Sequence, residues 1–139
     1  MKPPFRSLFA VFCYCWLLPA TAGVPDGDPV RGEQVYQRCQ ACHALNYNRT
    51  GPRHCGLIGR PAASLPGFNY SEAMRKSGIV WTRKALDAFL SAPTRYVEGT
   101  SMGYAGIDDP QVRHDLIAYL AQASHDPALC HSTATGVQL

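Results

Sequence analysis

Cys39-Gln40-Ala41-Cys42-His43 is the stretch on which the reading of this chain turns. The spacing C-x-x-C-H is the attachment signature of a c-type haem. Two thiols three positions apart on a helical turn can each form a thioether to one edge of a porphyrin. The imidazole that follows then reaches the iron from the proximal side, neutral histidine being a good iron ligand. Two plainer readings compete. A bare C-x-x-C serves redox-active dithiols, but those sit near a βαβ pattern, and none is visible. Half of a zinc site would need a second ligand pair at matching spacing. His43, directly after two correctly spaced cysteines, puts haem attachment ahead of both.

The 139 residues suit one domain. The chain opens like a secretory signal: a basic start with Lys2 and Arg6, an almost wholly apolar run over residues 7–18, then Pro19-Ala20-Thr21-Ala22 with its A-x-A pattern. Cleavage is expected after Ala22. Residues 1–22 are therefore read as a cleaved signal, 23–126 as the folded domain and 127–139 as a loosely held tail. The apolar run falls short of the ~20 residues a membrane span needs, and no paired arginines suggest twin-arginine export. An exported chain of this kind is expected in the periplasm.

Cleavage changes the sums. Of 6 cysteines, Cys13 and Cys15 leave with the signal, so Cys39, Cys42, Cys55 and Cys130 remain. Without Lys2 and Arg6, 11 basic residues face 10 acidic ones. A strongly basic surface is absent, which excludes nucleic acid as a partner. In an oxidising compartment Cys55 and Cys130 suggest a disulfide. Closing a loop of roughly 75 residues would add about 4 kcal/mol by the entropic model. A buried free Cys55 with a frayed Cys130, or an intermolecular bridge, are the alternatives.

The rest of the pattern is helical. Asp28-Pro29 reads as an N-cap followed by proline at the first helical position, predicting a helix to about Cys42 with Gly32, Val35 and Tyr36 on one face. Gly32 costs about 1 kcal/mol relative to alanine inside a helix, and a close helix crossing would explain it. Residues 44–67 are rich in turn signals and read as irregular; so long a loop needs a function, and a flat cofactor would give it a core to pack on. A short helix is expected over residues 71–76, stopped by Gly78. Another follows the cap at Thr82, buries Ala85, Leu86, Phe89 and Leu90, and ends at Pro93. Residues 95–106 read as loop. Asp109-Pro110 starts a last helix to about Ala123, with Val112, Leu116, Tyr119 and Leu120 at core spacing. No repeat and no convincing strand are found, so the fold class is all-α.

The iron also needs a sixth ligand or an open site. Met74 sits in a short helical run, where filling the core is its simplest role. Met102 lies in a glycine-rich loop, where helical packing cannot account for it and backbone can approach a cofactor. His54, just beyond Pro52, is the rival ligand. His114 is expected on the exposed side of the last helix, and His125 and His131 in the tail.

Residues 27–123 resemble class I cytochrome c of the mitochondrial and similar bacterial type. The resemblance rests on Cys39-Gln40-Ala41-Cys42-His43, Thr50-Gly51-Pro52, Gly56-Leu57-Ile58-Gly59-Arg60, Pro66-Gly67-Phe68-Asn69-Tyr70, Ser77-Gly78-Ile79-Val80-Trp81, Gly99-Thr100-Ser101-Met102 and Asp115-Leu116-Ile117-Ala118-Tyr119-Leu120. It implies the small cytochrome c fold, with crossing terminal helices and one haem c held by Cys39 and Cys42. It implies His43 and Met102 as iron ligands, Pro52 as the carbonyl that orients the imidazole, and Arg60, Tyr70 and Trp81 around the propionates. Gly32 and Tyr36 match one half of the terminal crossing, Leu116 and Tyr119 the other.

Departures matter too. Phe89 stands where many relatives carry a tyrosine near the methionine sulfur, and Met74 where many carry an asparagine. Thr94 and Ser101 occupy lysine positions of the mitochondrial proteins. Arg95 keeps its charge, but Lys76 and Lys84 are the sole lysines beyond the signal, so electrostatic steering is expected to be weaker. The expected function is that of a monomeric, single-haem electron carrier, not an enzyme. Its donor and acceptor would be redox proteins, either membrane respiratory complexes or other cytochromes. The alternative is a haem enzyme or small-ligand sensor with a labile or absent Met102 ligand.

Overall fold

Helices begin where the sequence supplies caps. In the computed structural model, which describes residues 27–131, Asp28 accepts from the backbone N–H of Val30 and Arg31 and opens α1, Pro29–Tyr36. Ser71 caps α2, Glu72–Lys76, and Thr82 caps α3, Arg83–Ser91. Asp109 caps α5, Pro110–Ala123, and Asp126 caps α6, Pro127–Cys130. Each side-chain oxygen satisfies amides that the first helical turn leaves unpaired. A four-residue helix, α4, Pro93–Tyr96, follows α3 directly. Among the described residues there is no strand, only an isolated antiparallel bridge between Pro61 and Val80. The fold is all-α, and no described helix is long and apolar enough to cross a membrane.

The architecture is anchored where α1 crosses α5. A Cβ at Gly32 would lie 1.9 Å from the Asp115 carbonyl oxygen and 2.8 Å from Tyr119 Cβ. Only glycine lets the two backbones approach this closely. Tyr36, 1% exposed, sits one turn on with its ring centroid 5.2 Å from that of Tyr119. Leu116 is fully buried beside them.

A polar clasp reinforces the crossing. Asp115 accepts from Arg31 Nε at 2.8 Å, from the Asp28 amide at 2.7 Å and from Gln111 Nε2 at 2.9 Å. The Arg31 guanidinium, helped by the Asp28 amide, holds the Asp115 carboxyl well below the usual carboxylate range. On the opposite side of α5 the buried Arg113 donates to Asp87 of α3 and to the carbonyls of Ile107 and Asp108. That ties α3, α5 and the loop before α5 into one frame.

Four expectations need correction. Helix α1 ends at Tyr36, not near Cys42; beyond it the amides of Arg38 and Cys39 reach back only three residues, to Val35 and Tyr36. Gln37, Arg38 and Gln40 are exposed, so no apolar face remains to hold a regular helix together. Pro93 starts a helix as well as ending one, because its missing N–H costs nothing at a first position; the loop expected from residue 95 begins only after Tyr96. His114 is half-buried, with Nε2 3.7 Å from Asp87. The tail is not loose at its start: α6 is fastened by a disulfide between Cys130 and Cys55, 75 residues apart. Residues 132–139 of that expected tail, and the expected signal at 1–22, lie outside the described residues.

Two outcomes follow. Gly32→Ala should lower stability by about 3 kcal/mol or more, since the added methyl meets backbone that cannot move aside; urea unfolding measures it. For Asp115 the depressed carboxyl means a contribution complete above about pH 4 and lost as pH falls through the folded value. Asp115→Asn should therefore be less stable than the native chain at pH 7, with the gap narrowing toward about pH 3.

Candidate functional site

Between α2, α3, α5 and the two long loops lies a cavity of ≈ 450 Å³, within the range of small-molecule and cofactor pockets. Much of its wall is core-type side chain: Leu57, Met74, Trp81, Leu86, Phe89, Leu90, Ile107, Leu116 and Leu120. These residues form one apolar cluster, yet they leave a space that none of them fills.

The turn after α1 brings Cys39, Cys42 and His43 to this wall. Cys39 is half-buried and Cys42 exposed, and both are free thiols. The amide of His43 donates to the Cys39 carbonyl at 2.9 Å, which closes the motif into one compact turn. His43 Nδ1 lies 2.7 Å from the Pro52 carbonyl oxygen, so Nδ1 carries the proton and donates. Nε2 is left with its lone pair available to a metal. Burial lowers the His43 pKa against the opposing pull of that hydrogen bond, so the ring is neutral at physiological pH. A Cβ on Gly51 would lie 2.3 Å from His43 Cε1; the missing side chain is the space in which the imidazole sits.

The bland readings of the motif fare poorly here. Burial pushes the Cys39 thiol up to about 11, whereas reactive dithiols need a lowered thiol pKa. Among the described residues no three His, Cys, Asp or Glu side chains gather to hold a metal ion, so no zinc site is formed. Two thiols, a free imidazole nitrogen and a flat apolar void do fit a covalently attached haem.

His54, the rival ligand from sequence, lies on the wrong wall for that role. Its ring stacks on His43 with centroids 4.3 Å apart and planes at 22°. Stacked on that ring, His54 would not be placed to hold an iron that His43 holds. Met102 is half-buried in the loop between α4 and α5 and lines the cavity, as does Met74 of α2.

Arg60, Tyr70 and Trp81 meet at another part of the wall. The backbone of residues 59–62 pairs with that of 79–81, with Trp81 N donating to Arg60 O at 3.0 Å. The Arg60 guanidinium donates to the carbonyls of Cys55 and Arg53. Burial lowers the Arg60 pKa, with Tyr70 near enough to oppose it. A half-buried cation held in this way suits an anionic group such as a propionate. No Asp or Glu among the described residues lines the cavity. Gly51, read from sequence only as a turn residue, is the positioning feature that pattern reasoning missed.

The Cytochrome c family model matches residues 29–124. The chain is 46% identical over 110 residues to "Cytochrome c2" of Agrobacterium tumefaciens (strain II Chrys), spanning 74% of this chain and 99% of that protein. It is 48% identical over 99 residues to "Cytochrome c2" of Rhodopila globiformis, with 69% of this chain and 93% of that protein covered. Among solved structures it is similar to cytochrome cH from Methylobacterium extorquens, at a TM-score of 0.68 and 38% identity, covering 69% of this chain and 99% of that one.

Gly51→Ala tests the cradle. The methyl would displace the His43 ring, so the variant should accumulate less haem-loaded protein. The fraction that loads should show a weakened low-spin absorption spectrum.

Proposed function

Because this chain belongs to the cytochrome c family, which carries covalent haem c, we propose that it is a soluble single-haem electron carrier ligated by His43 and Met102. When bound, the haem would supply one-electron chemistry. Cys39 and Cys42 anchor it through thioethers, and Pro52 keeps the His43 proton on Nδ1. The Met102 thioether favours the ferrous state and raises the potential. The apolar wall, with Phe89 and Met74 at positions where many relatives are polar, works in the same direction by excluding water. Arg60, Tyr70 and Trp81 receive the propionates.

One observation carries this reading over a haem enzyme. Among the described residues the two imidazoles lining the cavity, His43 and His54, stand together on one wall, and no carboxylate lines it. The opposite side therefore offers no acid–base pair to work on a bound oxidant, as peroxidase-like chemistry needs. A carrier needs none; it needs geometry that barely changes with oxidation state.

Ser101, Gly103 and Ala105 are exposed around half-buried Met102, which suits brief contact with a redox-protein donor and then an acceptor, small interfaces being typical of such encounters. Those partners are membrane respiratory complexes or other cytochromes, met by the monomer in the periplasm after removal of residues 1–22.

Absorption spectra of the exported protein test this. The oxidised form should retain its haem through acid–organic extraction and show the weak far-red band of methionine on ferric iron. Met102→Ala should lose that band and bind carbon monoxide or cyanide rapidly. Rapid, tight binding by the native protein would instead favour the enzyme or sensor.

A further inference from the structure

We propose that His54 is a positioning residue for the proximal ligand: its ring, held by the Tyr36 hydroxyl, fixes the plane of the His43 imidazole. This rests on the reading of His43 as an iron ligand. The hydrogen bond to Pro52 sets where Nδ1 points. The bond from Cγ to Cβ and the close Gly51 backbone limit the ring further, and the stacked His54 imidazole adds a flat surface against one face that steadies its tilt.

His54 is itself held from three directions. Its amide donates to the carbonyls of Ala44 and Leu45 at 3.0 and 3.1 Å. Its Nδ1 lies 3.1 Å from the Tyr36 hydroxyl. Its chain neighbour Cys55 is bonded to Cys130. Burial raises the Tyr36 pKa, so the hydroxyl keeps its proton and has one to donate; Nδ1 is placed to accept it. Tyr36 in turn packs on Tyr119 within the crossing of α1 and α5. Contact thus runs unbroken from the terminal helices through Tyr36 and His54 to His43. A leucine or valine at position 54 would fill space but could not be oriented by a hydrogen bond, nor present a flat face.

Ligand orientation by outer-shell partners alters a metal's electronics as well as its affinity. In a ferric haem the plane of the axial imidazole sets how unpaired spin spreads over the porphyrin, so the paramagnetic shifts of the haem methyl protons report it. The test uses the haem-loaded native chain, His54→Leu and Tyr36→Phe, the second removing a single oxygen from an otherwise intact core. Both variants should keep the far-red methionine band, and both should change the methyl shift pattern and the midpoint potential. The double variant should show less than the sum of the two single changes, because the residues act in series. An unchanged pattern in either variant would overturn the proposal, even if its unfolding midpoint falls. The native spectrum is the separate control. If it shows no shifted axial imidazole protons, the ligation reading itself fails; if it shows them and the variants do not differ, only the role of His54 fails.

Discussion

A void of ≈ 450 Å³ sits where a domain of this size would place its densest side-chain packing. Helices α2, α3 and α5 turn their apolar residues toward it, and the loops over residues 44–67 and 97–106 lie across its mouth and walls. Native interiors are close-packed, so a chain that builds this wall is incomplete until a flat apolar group fills it. Covalent haem attachment supplies that group permanently. Binding a group in that space stabilises the folded chain by mass action.

The proximal side is built from segments far apart in sequence. Gly32 lets α1 and α5 touch backbone to backbone, Tyr36 fills the corner beside that contact, and His54 bridges Tyr36 to His43. The Cys55–Cys130 disulfide ties the same loop to the end of α6. Backbone reinforces the junction, with Gly56 N donating to Ser124 O at 2.7 Å. The side of the haem that carries the expected permanent ligand is therefore also the most heavily braced. Met102 by contrast stands in a glycine-containing loop whose Ser101, Gly103 and Ala105 are exposed.

Electrostatics divide along similar lines. Buried charges are few and each is paired: Asp115 with Arg31, Arg113 with Asp87. They hold helices together at the crossing and at the α3–α5 junction, where an unpaired charge would be costly. Among the described residues lining the cavity the charged ones are Arg38 and Arg60, which suits the anionic edge of a haem.

Local chemistry made much of this chain readable without coordinates. Asp28-Pro29, Thr82 and Asp109-Pro110 mark helix starts because a cap works within three residues of itself. Cys39, Cys42 and His43 declare a haem because the bonds they make are set by their own spacing. The end of α1, the second role of Pro93 and the short helix α6 escaped, since each depends on what packs against the segment, whereas the Cys55–Cys130 pairing was already suggested by the cysteine count. The wall on which His54 stands was decided by contacts with Tyr36 and His43. The depressed carboxyl of Asp115 was decided by Arg31, 84 residues away. By itself the sequence determined the helical class, the cofactor chemistry and the cap positions, all short-range properties. Only the tertiary structure decided which side chains meet across the cavity, because that is settled by where distant segments of the chain come together.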